Sequence, residues 1–190
     1  IALVKHISEY YLCPIHKVIK LFFPATAFTR KKTLEETLPT EKNNFQEAYL
    51  QLTSEQEKAL EAIKNSTKST ILLHGVTGSG KTEIYRRLTL EAVKQNQQVI
   101  ILVPEISLTP QTVKNFERQF GKNIAVIHSK LSPKKKSNYL HNIYHQNIQI
   151  VIGSRSAIFA PFQNLGLIII DEEHEDSYKQ DQAPRYHTRE

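Results

Sequence analysis

The sequence predicts an α/β fold, a parallel sheet flanked by helices, on three observations. From Leu52 onward, short β-rich runs alternate with longer amphipathic ones; a glycine-rich turn joins one such run to a helix; and an acidic cluster directly follows another. Parallel neighbours need long return connections, so this alternation selects strand–helix crossovers rather than hairpins.

The elements follow in order. A helical pattern runs from Ile7 to Phe23 and stops at Pro24, and the polar stretch 29–44, TRKKTLEETLPTEKNN, has no sustained period, so residues 1–50 are expected to be a short helical and linker segment. Residues 51–190 are expected to form one domain. Within it TILLHG (70–75) reads as a strand followed by a helix over Glu83–Gln95. QVIILVP (98–104) then precedes a helix over Thr109–Phe120, and NIAVIHS (123–129) precedes one over Ser132–Tyr144. IQIVIGS (148–154) and LGLIIID (165–171) complete the set of strands.

Composition narrows the function classes. The 190 residues are 39% hydrophobic, enough for one ordinary core, and the net charge of +6 suits a polyanionic partner such as nucleic acid. Cys13 is the single cysteine, which excludes an internal disulfide and a cysteine-based zinc cluster and suits the cytoplasm. No apolar run reaches the roughly 18 residues that span a bilayer, so no membrane partner is expected. Methionine is absent, so Ile1 is read as the start of a fragment rather than of a translated chain.

Two motifs carry chemistry. Gly75-Val76-Thr77-Gly78-Ser79-Gly80-Lys81-Thr82 has the G-x-x-x-x-G-K-[ST] spacing of a phosphate loop. Its glycines let successive backbone N–H groups face phosphate oxygens, and the following helix adds its positive end. Lys81 is expected to reach the β- and γ-phosphates of ATP and the Thr82 hydroxyl to ligate Mg²⁺. The second motif is LIIIDEEH (167–174), a doubly buried strand pattern with carboxylates at the C-terminal tip, where parallel sheets bind ligands. Asp171 is the expected magnesium partner and Glu172 the general base or water-orienting group; His174 is a candidate relay, with a plain packing role as the alternative. Glu175 and Asp176 read as solvated loop charge, and the run Lys134-Lys135-Lys136 is assigned no site.

GVTGSGKTE, LVPEISLTPQ, VIGSRSAIFAPF, IIIDEEH and SYKQ…PRYHTRE, in this order, closely resemble the helicase core of the primosomal replication-restart helicases, a branch of the superfamily 2 DNA helicases. The resemblance runs from about Leu52 to Glu190 and implies the first RecA-like lobe of a P-loop NTPase, incomplete at its C-terminal end. It further implies a monomeric ATP-dependent motor that moves 3′ to 5′ on single-stranded DNA at abandoned forks. Primosome proteins and the loader of the replicative helicase are its implied partners, and zinc is implied only for a cysteine-rich region beyond these residues.

By the same resemblance, Gln56 in LTSEQ falls in the segment that recognises adenine, where a side-chain amide can donate and accept at once, with a surface glutamine opening a helix as the alternative. Thr109 and Gln111 fall in a DNA-contacting block, with an ordinary capped helix start as the alternative. Ser154, where the family more often has Thr, and Arg155 fall near the same DNA path. Tyr178, Lys179, Gln180, Arg185, Tyr186 and His187 resemble an aromatic-rich loop that couples DNA binding to ATP turnover, with stacking surfaces for unstacked bases. The front segment ISEYYLCPIHKVIKLFFP resembles the connection from an N-terminal DNA-binding domain, and the family's intervening winged-helix module is expected to be absent or much reduced. The arginine that stabilises transition-state charge comes from a second lobe in two-lobe motors, so residues 1–190 alone are expected to hydrolyse ATP very slowly and not to unwind DNA. Alternative readings are another superfamily 2 nucleic-acid helicase and a non-catalytic DNA-binding loading platform.

Overall fold

The computed structural model describes residues 2–23, 51–76, 78–121 and 124–190. The expected linker over 24–50, and with it the question of a reduced winged-helix module, lies outside the described residues, as does Thr77 of the phosphate loop.

Helices α1 (Ala2–Tyr10) and α2 (Ile15–Phe22) replace the single helical pattern read from the sequence. The break falls at Leu12, whose φ of 46° is left-handed, and at Pro14, the residue that caps the start of the second helix. The pair does not behave as a free tether. Ile7, Cys13 and Val18 are buried together with Phe159 and Tyr186 of the domain, and Phe22 packs edge-on against Phe159. The unpaired thiol of Cys13 is part of this small core.

Helix α3 (Ser54–Lys64) opens with a full capping box: Thr53 accepts from the Gln56 backbone, and the Gln56 side chain accepts from the Thr53 backbone. After the phosphate loop comes α4 (Lys81–Lys94), then β1 (Gln98–Leu102), α5 (Pro110–Phe120), β2 (Ile124–Ile127), α6 (Pro133–Tyr144), β3 (Ile150–Gly153) and β4 (Leu165–Ile170). Thr109 and Ser132 cap α5 and α6, each followed by a proline at the first helical position, where its missing N–H costs nothing.

Among the described residues the sheet has four strands in the order β2-β3-β1-β4, all parallel. Alternate residues serve opposite faces. Val99, Ile101, Ile150, Ile152 and Ile169 pack with Ala92 and Val93 of α4 and Phe120 of α5, whereas Ile100, Leu102 and Val151 pack with Ile143 of α6 and with Tyr178. The expected α/β class with a parallel sheet is the class observed.

One expected strand is corrected. Residues 70–75, TILLHG, belong to no strand, and Ile71 and Leu72 are 44% and 74% exposed. A strand is stabilised by its ladder, and among the described residues none joins this segment to β4, which pairs there with β1 alone and leaves Leu165 and Ile168 exposed. The apolar run identifies a segment suited to a sheet; it does not supply the neighbour.

Register places the motif blocks side by side. Leu102 at the tip of β1 lies opposite Gly153 of β3 and Ile170 of β4. The residues that follow these tips, Pro104 to Gln111, Ser154 to Phe159 and Asp171 to Tyr178, therefore leave one end of the sheet together, the end where open parallel sheets bind ligands.

Candidate functional site

The phosphate loop is shaped by two left-handed glycines. Gly78 and Gly80 have φ of 82° and 83°, a region that a Cβ makes costly by about 1–2 kcal/mol. Gly80 also has a neighbour in the way: a Cβ there would stand 2.2 Å from Nε2 of Gln56. A Cβ on Gly75 would meet Ser79 Oγ at 2.8 Å. Lys81, first residue of α4, turns its ammonium back into the loop and donates to the carbonyls of Gly75 at 2.6 Å and Val76 at 3.2 Å. Thr82 follows, exposed. Gln56 braces the loop from α3, donating from Nε2 to Ser79 O at 2.9 Å. Both ends of its amide are thus engaged by the protein, one in the capping box and one on the loop.

The acidic turn is anchored by its first residue. The Asp171 N–H donates to Leu102 O at 2.9 Å, its carbonyl accepts from the Tyr178 hydroxyl at 2.6 Å, and its Oδ1 accepts from the Tyr85 hydroxyl at 3.3 Å. Glu172 is exposed and has a left-handed φ of 47°, a strained conformation for a side chain of this size, closed by the Glu175 N–H on its carbonyl at 2.9 Å. Glu173 pairs with Arg189 at 2.5 Å and His174 is exposed.

A hydroxyl at Thr82 and a carboxylate at Asp171 are hard oxygen donors of the kind magnesium takes, and the glycines leave the cradle free of Cβ atoms, so these residues fit a magnesium–nucleotide complex. Among the described residues no group of three or more His, Cys, Asp and Glu side chains is placed to hold a metal ion. Magnesium does not need one, because it retains waters and uses substrate phosphates.

The expected DNA-contacting residues divide by exposure. Thr109 and Gln111 are exposed at the start of α5, with Thr109 Oγ1 accepting from the Thr112 N–H at 3.2 Å as the cap. Lys179 and Arg185 are exposed as well; the Lys179 ammonium lies 5.6 Å from the Tyr11 ring centroid, and Arg185 donates to Asp181 O at 3.2 Å. Ser154, Tyr178 and Tyr186 are 4%, 1% and 5% exposed. The expectation that the two tyrosines present stacking faces is corrected for this conformation: Tyr178 packs among Ile100, Leu102 and Val151, and Tyr186 packs edge-on against Phe159. An apolar ring gains more from burial than from water whenever a core is within reach. Arg155 likewise faces the protein, donating to the carbonyls of Ser177 at 3.0 Å and of Lys179. It ties the loop to the tip of β3.

Two functional contacts escaped the sequence reading. Tyr85 lies four residues after Lys81, one helical turn along the same face, and that spacing is the signal that points it towards the neighbouring strand tip. Tyr11 of the front hairpin accepts from the His187 N–H at 3.0 Å and donates to Glu190, contacts across the whole chain that no local pattern encodes.

Three phenols in this region are held neutral. Burial raises Tyr85 and Tyr178, with the charge of Asp171 adding to both, and burial pushes Tyr186 up to about 12, with Arg155 opposing. The fold holds the protonated form, so this stabilisation is complete below the unfolded value of about 10 and is lost as pH rises through the folded values. An alkaline titration should show these three phenols ionising only above the free-tyrosine value of about 10, together with loss of the far-ultraviolet helical signal. Ionisation of these three phenols at the free-tyrosine value with the fold intact is the contrary result.

A glycine-shaped loop opens α4, and Tyr85 of that helix links it to an acidic turn at the tip of β4 in a parallel α/β sheet. A family model for DEAD/DEAH box helicases matches residues 53–189, and the chain belongs to that family. Within it, the chain is similar to proteins named replication restart protein PriA. It is 52% identical over 145 residues to that of Bacillus subtilis strain 168, covering 74% of this chain and 18% of the relative. It is 46% identical over 181 residues to that of Chlamydia pneumoniae, covering 93% and 24%, and 40% identical over 189 residues to that of Rickettsia typhi, covering 100% and 28%. The chain spans 18% to 28% of the length of these curated relatives. Among the described residues no helix is long and apolar enough to cross a membrane.

Proposed function

We propose that the chain is the ATP-binding lobe of a DNA helicase of replication restart, one that moves 3′ to 5′ on single strands at abandoned forks and helps a primosome reload the replicative helicase. The observation that carries the reading is the meeting of the two motifs: α4, which begins at Lys81, reaches Asp171 through Tyr85. The relatives' printed names support the restart role, and the net charge of +6 supports a nucleic-acid partner.

In this reading Lys81 leaves the Gly75 and Val76 carbonyls for the β- and γ-phosphate oxygens, and the N–H groups of residues 78–82 face the same oxygens. Thr82 and Asp171 hold magnesium, which supplies charge neutralisation on the phosphates. Glu172, exposed beside Asp171, orients the attacking water and takes its proton. Gln56 is the residue assigned to adenine recognition, for which its amide exchanges its present partners, the Thr53 N–H and Ser79 O. Thr109, Gln111, Lys179 and Arg185 grip the DNA backbone, His174 relays the state of the γ-phosphate, and Arg155 holds the aromatic-rich loop for that coupling.

The test is ATP hydrolysis by the intact protein with and without single-stranded DNA across a salt series. Stimulation by DNA is expected, with the apparent DNA affinity falling as salt rises at a log–log slope of about −0.7 per neutralised phosphate. Hydrolysis indifferent to DNA at every salt concentration would remove the motor reading.

A further inference from the structure

Asp171 is fixed unequally. Its backbone is held on both sides, by Leu102 O and by the Tyr178 hydroxyl, whereas its carboxylate is joined to the Tyr85 hydroxyl at 3.3 Å. Backbone anchors leave the two side-chain torsions of an aspartate free to choose among rotamers. A phenol hydroxyl facing a carboxylate acts as the donor, so it selects one of those rotamers, occupies one oxygen and leaves the other available.

The placement of Tyr85 makes this selection specific to the two halves of the site. It lies on the first turns of α4, the helix that also carries Lys81 and Thr82, and its half-buried ring packs against the core cluster to which Val99, Ile101 and Ile169 of the sheet belong. Asp171 continues β4, the strand adjacent to β1. The hydroxyl therefore spans from the helix of the phosphate loop to the strand tip of the acidic turn, and the ring that carries it is locked by the core between them.

We infer that Tyr85 is a positioning residue for ATP hydrolysis: its hydroxyl holds the Asp171 carboxylate in the one orientation that presents a free oxygen to the metal while registering the acidic turn against the phosphate-loop helix. The inference rests on the ATP-hydrolysing reading above and goes beyond it by assigning the orientation of Asp171 to a residue outside both motifs.

The experiment uses the intact protein and its Tyr85→Phe variant, which keeps the packed ring and removes the hydroxyl alone. Mn²⁺ binding in the presence of ADP, read by electron paramagnetic resonance, is expected to weaken by about 3- to 10-fold, the effect of losing one ordinary hydrogen bond, as suits a contact of 3.3 Å. Binding of ADP in excess chelator and the thermal midpoint are expected to be unchanged. In turnover, the Mg²⁺ concentration for half-maximal rate rises, and saturating Mg²⁺ restores most of kcat. Unchanged Mn²⁺ affinity in Tyr85→Phe overturns the inference, as does an equal loss of ADP affinity in chelator, which is the signature of a disturbed helix. Lys81→Ala separates the two levels. If that variant hydrolyses ATP as the unaltered protein does, the underlying reading fails; if it is inactive while Tyr85→Phe binds Mn²⁺ normally, only the positioning role fails.

Discussion

Glu172→Gln in the intact protein is expected to lower ATP turnover by about 10²–10⁴-fold while nucleotide still binds, the loss typical of removing a positioned proton acceptor. The substitution is nearly isosteric, and Glu172 is exposed, so the fold has little to lose. What changes is basicity: an amide can orient a water but cannot take its proton. The position is also conformationally marked. A φ of 47° on a side-chain-bearing residue is a cost, and the turn that carries it is closed by the Glu175 N–H on the Glu172 carbonyl at 2.9 Å. A rapid-quench measurement separates binding from cleavage, and fork-restart activity separates two classes of protein. A motor with this substitution stalls with ATP bound, whereas a loading platform that needs no hydrolysis keeps its restart activity. Normal turnover in Glu172→Gln would instead move the base to another residue.

Local rules made most of the fold legible. Thr109 ahead of Pro110 was readable as a capped helix start, because a cap is decided within four residues. The strands β1 to β4 were readable because five or so consecutive apolar residues between amphipathic helices have few other uses in a parallel sheet. Residues 70–75 satisfied the same pattern and still form no strand, since pairing is a property of two segments and a run of apolar residues describes one. Gln98 shows the converse. It is wholly buried in β1, donating to the carbonyls of Ile143 and Ile148 and accepting from the N–H groups of Gln163 and Asn164, an arrangement that three separate segments must create together.

The site divides in the same way. Gly78 and Gly80 were legible as left-handed turn positions, and Lys81, Asp171 and Glu172 were picked out as candidates, because fixed spacing and the chemistry of phosphate demand those residue types. The loop over 178–187 was ambiguous in kind: aromatic rings interleaved with cations suit unstacked bases and suit a small core with charged edges equally well. Burial chose the core for Tyr178 and Tyr186, while Lys179 and Arg185 remain on the surface. A linear pattern does not report which rings find partners, and here the partners are Phe159 and residues of β1 and β3.

Lys81→Ala is expected to reduce hydrolysis by about 10²–10³-fold, comparable to removing one preorganised donor to developing charge, and to weaken ATP binding as well. The two losses have one origin. The ammonium lies inside the cradle, donating to the carbonyls of Gly75 and Val76, so the charge needs little reorganisation to meet a phosphate. Alanine removes that charge and also leaves the two carbonyls pointing at the anion they formerly shared a cation with. Lys81→Arg tests which part matters. It restores charge, but a planar guanidinium is wider than an ammonium, and the pocket is bounded by the Gly75 and Val76 carbonyls on one side and by the helix start at Gly80 on the other. Arginine is therefore expected to recover nucleotide binding more than turnover, measured with a fluorescent ADP analogue beside a phosphate-release assay. Equal recovery of both by Lys81→Arg would mean that net charge alone suffices, and undiminished turnover in Lys81→Ala would mean that the phosphates lie elsewhere.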